Sequence, residues 1–401
     1  MRIVRIWANL VKLGICLALL FVLLFMLQLL YQTDDFEHNP RGQQNNKLPA
    51  KQPDAASVKH NKPQPQQQHR KAIKDAVFDK QSLRDANPLR DNKVLQMGRN
   101  PFLPEDGTGP RRHPIIPHII HQVWDSDEAT PAVFVPWIQS WQRDHPSWEH
   151  WLWTPVAVQC LLEKHYPDYS ALFDAYPDDI SRADVTRYFV LHHYGGVYVD
   201  LDTISLKPLD PWTYRHQCIL SEEPYEHAFL VRDANRSNIV NSPLACRPRH
   251  PFFDAAIKAL PEAAAQYFGD FLHSTGPFFL DSVLRDYQHH HHEDPQDNIT
   301  VVPPRYFLPT YDKSQTGIID DKCSPQFYKS LPDKQKWVCD MLMQRDYKNS
   351  VYPDSFMDHR WMHVNMMDLK WKYKDTVRLE NINPKIKKMS MVLCTNEHFP
   401  G

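Results

Sequence analysis

Glycine is scarce, 11 residues in 401, and no G-x-G-x-x-G occurs, which excludes a glycine-rich dinucleotide cradle. An excess of one charge is also lacking. Lys and Arg number 46 against 48 Asp and Glu, so the basic surplus of a nucleic-acid binder is missing. The seven cysteines form no C-x-x-C pair and no Cys/His zinc spacing. No internal repeat is visible, which sets solenoids and propellers aside. What is plentiful is core material: 42% hydrophobic and 12% aromatic residues exclude global disorder.

One long apolar run exists. Residues 13–27 carry no charge, and residues 28–31 extend the run nearly far enough to cross a hydrocarbon core of ~30 Å at about 1.5 Å per residue. Arg2, Arg5 and Lys12 precede it and Asp34, Asp35 and Glu37 follow, which predicts a cytoplasmic N-terminus and a lumenal remainder. The run is long for a signal peptide and no A-x-A-like site follows it, so a retained signal-anchor is expected. The polar stretch 62–70, with two prolines and no glycine, buries too little apolar surface to offset its ordering entropy. The expected plan is a tail at 1–12, a transmembrane helix at 13–31, a disordered stem at 32–112 with a short helix near 73–89, and a globular domain at 113–401. That is the layout expected of a single-pass type II enzyme of the Golgi membrane, a topology that a receptor or adhesion protein could share. Six cysteines (160, 218, 246, 323, 339 and 394) then face an oxidising lumen and allow up to three disulfides of unreadable connectivity. Asn235 and Asn298 head glycosylation sequons.

Within the globular part, 119–124 reads as a buried strand. Thr130-Pro131 reads as the start of an aromatic helix with Trp137 and Trp141 on one face. Residues 148–153 are strand-like, and Thr154-Pro155 is a cap and first-turn proline for a helix to about His165. A helix over 180–194 stops at Gly195-Gly196, and a short strand follows at 197–200. Further strands are expected at 218–220 and 229–232, and helices at 252–268 and 278–287. The alternation argues for an α/β fold on a mostly parallel sheet. The histidine run 289–292 reads as a solvated loop.

The chemistry centres on Tyr198-Val-Asp200-Leu-Asp202. Two carboxylates two residues apart stand at the carboxyl end of a buried strand, where open α/β sheets bind ligands. Period-two geometry aims both the same way while the strand lasts. Hard oxygen donors suit Mn²⁺ or Mg²⁺, which grips diphosphate oxygens and neutralises charge on a departing nucleotide.

Three ordered blocks carry a family likeness: Ile119-Ile-His121-Gln-Val-Trp124, the stretch 181–191 with Arg182, Asp184, Arg187 and Tyr188, and 194–202 with Gly195-Gly196 and Asp200-Leu-Asp202. Ser274-Thr275-Gly276-Pro277 adds a fourth. Together they resemble glycosyltransferase family 32, with its DXD sugar-binding region. The likeness covers roughly residues 118–281 and fades beyond. It implies a GT-A (Rossmann-like) catalytic domain, a divalent metal, a nucleotide-sugar donor and retention of anomeric configuration. By that pattern Asp202 binds the metal, and Asp200 binds metal or donor. Asp184 and Arg187, neighbours on the preceding helix, form an intrahelical ion pair or contact the donor. Arg182 is a donor candidate or a solvated side chain. His121 and Trp124 contact the nucleotide base or pack in the core. His359 and His363 are the late-histidine candidates for a further metal ligand.

The resemblance implies hexose transfer to a glycan or glycolipid hydroxyl, with GDP-mannose the favoured donor and an α-linkage formed. UDP-galactose and UDP-N-acetylglucosamine remain open, as does an inactive sugar-binding protein on the same fold. Glu222, Glu223 and Asp281 are the carboxylates available should a nucleophile be needed.

Overall fold

The computed structural model describes residues 113–290, 297–362 and 374–394. The expected anchor at 13–31, the stem with its short helix, and His363 lie outside the described residues, as does part of the 289–292 run. Among the described residues no helix is long and apolar enough to cross a membrane.

The strands, in chain order, are β1 (Ile119–Val123), β2 (Ala129–Pro131), β3 (Glu149–Trp153), β4 (Gly196–Tyr198), β5 (Thr203–Ser205), β6 (Cys218–Glu222), β7 (Ile239–Cys246), β8 (Ile299–Val302), β9 (Met357–His359), β10 (Thr376–Arg378) and β11 (Ile386–Lys388). The main sheet has the order β11-β3-β1-β4-β7-β6-β8. Every described pairing in it is parallel except the two made by β7. The α/β, mostly parallel sheet expected from the alternation is therefore present, with one strand inserted backwards. Two small antiparallel ribbons, β10 with β2 and β5 with β9, flank it.

Helices Pro155–His165, Asp179–Tyr194, Pro251–Gln266 and Pro277–His290 share one core, centred on Tyr188, Phe189, Leu220, Phe252 and Phe253. Another cluster forms around Trp141, Trp148, Trp212, Phe307 and Phe356. A third gathers Tyr225, Phe229, Val338 and Leu342 beside the Cys323–Cys339 disulfide. The other disulfides are Cys160–Cys394 and Cys218–Cys246, the latter bridging directly paired positions of β6 and β7.

Local chemistry explains most boundaries. Thr154 caps the helix Pro155–His165 by accepting from the Ala157 N–H. Asp178 does the same for Asp179–Tyr194 through Ser181. That helix ends because Gly195 takes φ 65° and Gly196 φ 104°. A Cβ on Gly196 would lie 2.7 Å from the Ile119 carbonyl oxygen, so glycine is what lets β4 pair so closely with β1.

Three expectations are corrected. Thr130-Pro131 belongs to β2, and the aromatic helix starts later, at Val135–Asp144, with Pro136 in its first turn. Residues 229–232 do not form a strand. Glu226–Val231 is a π-helix whose apolar side chains fill the cluster around Cys323–Cys339; a short apolar run fits either element by periodicity alone. The strand β4 ends at Tyr198, so Asp200 and Asp202 sit in the turn after it, not on the strand.

Candidate active site

The edge of the sheet where β1, β3, β4 and β6 end is also where β7 begins. Asp200 follows β4, and its N–H donates to Ser242 Oγ of β7 at 3.1 Å. The turn closes through Thr203 N–H to the Asp200 carbonyl, and the chain enters β5. The pairing of β5 with β9 then does the long-range work. Its register sets Thr203 opposite His359, and the Arg360 N–H donates to the Asp202 carbonyl at 2.8 Å. His359 Nε2 thereby reaches 3.1 Å from Asp202 Oδ1 and 3.7 Å from Asp200 Oδ2. The second Asp202 oxygen accepts from the Met362 N–H at 2.9 Å. The strand does not aim the two carboxylates together; a turn and a distant ribbon do.

The donor set fits a divalent cation of the Mn²⁺ or Mg²⁺ kind. One ligand atom each from Asp200, Asp202 and His359 lies within 4.8 Å of the others, hard oxygens with one imidazole nitrogen. The cluster also demands positive charge. Burial disfavours a charged imidazole at His359, yet Asp202 and Asp200 outweigh it and push its pKa up to about 10.

Asp184 and Arg187 adjoin this cluster on the buried face of the helix Asp179–Tyr194. Arg187 Nη2 is 2.8 Å from Asp184 Oδ1 and 3.6 Å from Asp200 Oδ1, and its Nη1 donates to the Asn241 carbonyl at 2.7 Å. Its guanidinium lies over the Tyr198 ring, and the Tyr198 hydroxyl donates to Asp200 Oδ1 at 2.9 Å. Burial opposes ionisation of Asp200. Arg187, His359 and Tyr198 override it and hold the carboxyl well below the usual range. At Asp184 burial wins over Arg187, and with Asp200 nearby its pKa is pushed up to about 6. Asn241 Nδ2 and Thr275 Oγ1 donate to its two oxygens at 2.8 and 3.1 Å. The pair is thus both an intrahelical ion pair and part of the wall beside the carboxylate cluster.

Other candidates sit elsewhere. His121 is fully buried, with Nε2 on the Gly195 carbonyl at 2.8 Å and Nδ1 accepting from Trp153 Nε1 at 3.0 Å. Burial lowers its pKa to about 4, and both nitrogens are used within the core. Trp124 is buried against Phe134 and donates to the Ala129 carbonyl. Arg182 is paired with Asp179 at 2.6 Å and donates to the Tyr176 carbonyl.

Of the three acidic residues, Glu223 is ion-paired to Arg232, and Asp281 to Arg236. Glu222 has no ion pair among the described residues and accepts from the Tyr225 hydroxyl at 2.8 Å. Burial raises its pKa, and Tyr225 offsets this only in part. In the strand order it stands two strands from β4, roughly 10 Å at standard spacing.

Sequence reasoning gave no role to Asn241, Ser242 and Thr275. β7 went unread because Pro243 within the run argues against a strand. Thr275 lay inside a quoted block whose spatial partner, Asp184, is 91 positions away.

Two carboxylates and a histidine thus gather at the carboxyl edge of the sheet, where open α/β sheets bind ligands. Residues 131–219 match the family described as the glycosyltransferase sugar-binding region containing DXD motif. That match takes in two of the sequence blocks, 181–191 and 194–202 with Asp200 and Asp202. The chain is 34% identical over 183 residues to inositol phosphoceramide mannosyltransferase 1 of Schizosaccharomyces pombe, covering 44% of this chain and 53% of the relative. A mannosyl phosphorylinositol ceramide synthase of Saccharomyces cerevisiae is 32% identical over 215 residues, 53% of this chain and 51% of that one. The initiation-specific α-1,6-mannosyltransferase of Candida albicans is 30% identical over 150 residues, 36% of each chain. The chain spans about half the length of the first two curated relatives.

Proposed function

We propose that this protein is a metal-dependent, retaining mannosyltransferase of the GT-A type, anchored in the Golgi membrane with its catalytic domain in the lumen. It takes mannose from GDP-mannose and forms an α-linkage to a hydroxyl on a glycolipid headgroup. The observation that carries the reading is the junction of two groups of residues. Asp200, Asp202 and His359 lie close enough together to hold a cation, and Asp184 with Arg187 abuts them. Support for mannose and for a lipid acceptor comes from the relatives' names.

A bound Mn²⁺ or Mg²⁺ supplies charge stabilisation for the departing diphosphate. The chain's own residues do the rest. Asp200, kept ionised by Arg187, His359 and Tyr198, and Asp202 beside it hold positive charge at that position. Asp184 offers carboxylate oxygens to sugar hydroxyls, and Arg187 keeps Asp184 and Asp200 in place. Catalysis on this plan is mainly positioning and electrostatics. The acceptor hydroxyl approaches from the side of the leaving group, and the donor phosphate takes its proton.

The test is a donor screen of the full chain with Mn²⁺ against GDP-mannose, UDP-galactose and UDP-N-acetylglucosamine, followed by proton NMR of the first product. GDP-mannose turnover with an α-anomeric signal is expected. A β-product rules out retention, and preference for a UDP-sugar rules out the mannose assignment. Glu222→Gln separates the two retaining routes. Measurable activity, within about tenfold of wild type, is expected if the same-face route holds. A dead Glu222→Gln enzyme together with a trapped glycosyl-Glu222 in the wild type points instead to double displacement.

A further inference from the structure

The loop between the helices Pro251–Gln266 and Pro277–His290 carries Tyr267, Phe268, Phe271 and Leu272, all exposed, Phe268 at 68%. These are four of the nine large hydrophobic side chains exposed among the described residues, and they fall within six consecutive positions. Single exposed apolar side chains are ordinary, but a cluster marks a contact surface.

The loop is built to hold them outward. Gly269 turns the chain with φ 83°, and Asp270 caps the next turn by accepting from the Leu272 N–H at 3.1 Å. The Ser274 N–H donates to the Asp270 carbonyl at 2.9 Å, and the Gly276 N–H to the Phe271 carbonyl at 2.7 Å. A Cβ on Gly276 would sit 2.8 Å from the Phe271 carbonyl oxygen, so the turn closes tightly on that glycine. The same segment then enters the site. Thr275 is fully buried, donates to Asp184, and accepts at its carbonyl from the Tyr188 hydroxyl. The apolar tip and the threonine that bonds Asp184 are two ends of one segment.

We infer that this loop is a membrane-contact surface, which seats the pocket at the bilayer so that a headgroup hydroxyl meets the donor. A protruding tip of two phenylalanines, a leucine and a tyrosine suits the fluid interface of a bilayer, where aromatic side chains settle. Four side chains are few for a stable protein interface, which takes about 20–30 residues a side. The run 13–31, nearly long enough to cross a hydrocarbon core, would tie the chain to a membrane. The inference rests on the proposed glycolipid acceptor.

The test uses the full chain in phosphatidylcholine vesicles containing inositol phosphoceramide. Photoreactive benzoylphenylalanine replaces Phe268 or, as control, the exposed Phe327. Illumination is expected to give a phospholipid adduct at position 268 and none at 327. Adducts at neither position, or equally at both, overturn the inference whatever the acceptor proves to be. In Phe268→Asp/Phe271→Asp, mannose transfer to the vesicle lipid is expected to fall at least tenfold, with metal-dependent hydrolysis of GDP-mannose unchanged. Unchanged lipid transfer, or loss of hydrolysis as well, also overturns it. If the wild type hydrolyses no GDP-mannose, the proposed function fails, and the adduct at 268 alone decides the inference.

Discussion

Asp202→Asn is expected to lower turnover about a thousandfold or more, the scale of losing charge stabilisation of a leaving group. The thermal midpoint should move by no more than a few degrees. The asymmetry follows from what the side chain touches. One oxygen faces His359 and the other accepts from the Met362 N–H. An amide of the same shape can still accept from that N–H, so the turn is held. What it loses is the formal charge that a hard cation needs. Mn²⁺ binding measured by calorimetry should weaken in parallel with turnover, which separates a ligand from a residue that only shapes the pocket. Wild-type turnover in Asp202→Asn would sink the cation assignment for the whole cluster.

The parts of this site that sequence reveals are those written by local rules. Capping at Thr154, the Gly195-Gly196 stop and the apolar run before Asp200 are short-range chemistry, and each appears where the sequence places it. Asp184 and Arg187 are legible for the same reason: three apart on a helix, they must be neighbours. What local rules cannot carry is the β5–β9 pairing. Three-residue strands leave no periodic signal, and here they join positions more than 150 residues apart. His359 could therefore be named only as one of two late histidines. β7 failed to register because proline argues against a strand, yet it supplies Asn241 to Asp184 and Ser242 to the backbone of Asp200. The π-helix Glu226–Val231 was hidden because its apolar run would serve a strand equally well.

Arg187→Met is expected to cost about 3 kcal/mol of stability, lowering the thermal midpoint by roughly 10 °C, and to abolish transfer. The guanidinium is buried among Asp184, Asp200 and the Asn241 carbonyl, so its loss strands two carboxylates rather than one surface charge. Asp184→Asn removes one of those charges. The double variant Arg187→Met/Asp184→Asn should therefore recover much of the stability lost in Arg187→Met, because a neutral amide needs no cation beside it. Activity should not return with it, since the sugar would have lost both a carboxylate acceptor and a cation beside the diphosphate. Recovery of turnover together with stability would show that the pair serves the fold alone. A pH scan adds an independent check. Burial first, then Asp200, holds the Asp184 pKa near 6 against Arg187, above the ordinary value of 3.8. The folded state therefore binds this proton more tightly than the unfolded one. The stabilisation is present below the unfolded value and is lost as pH rises through about 4 to 6. In Asp184→Asn that component of the pH dependence should vanish while the rest of the profile stays.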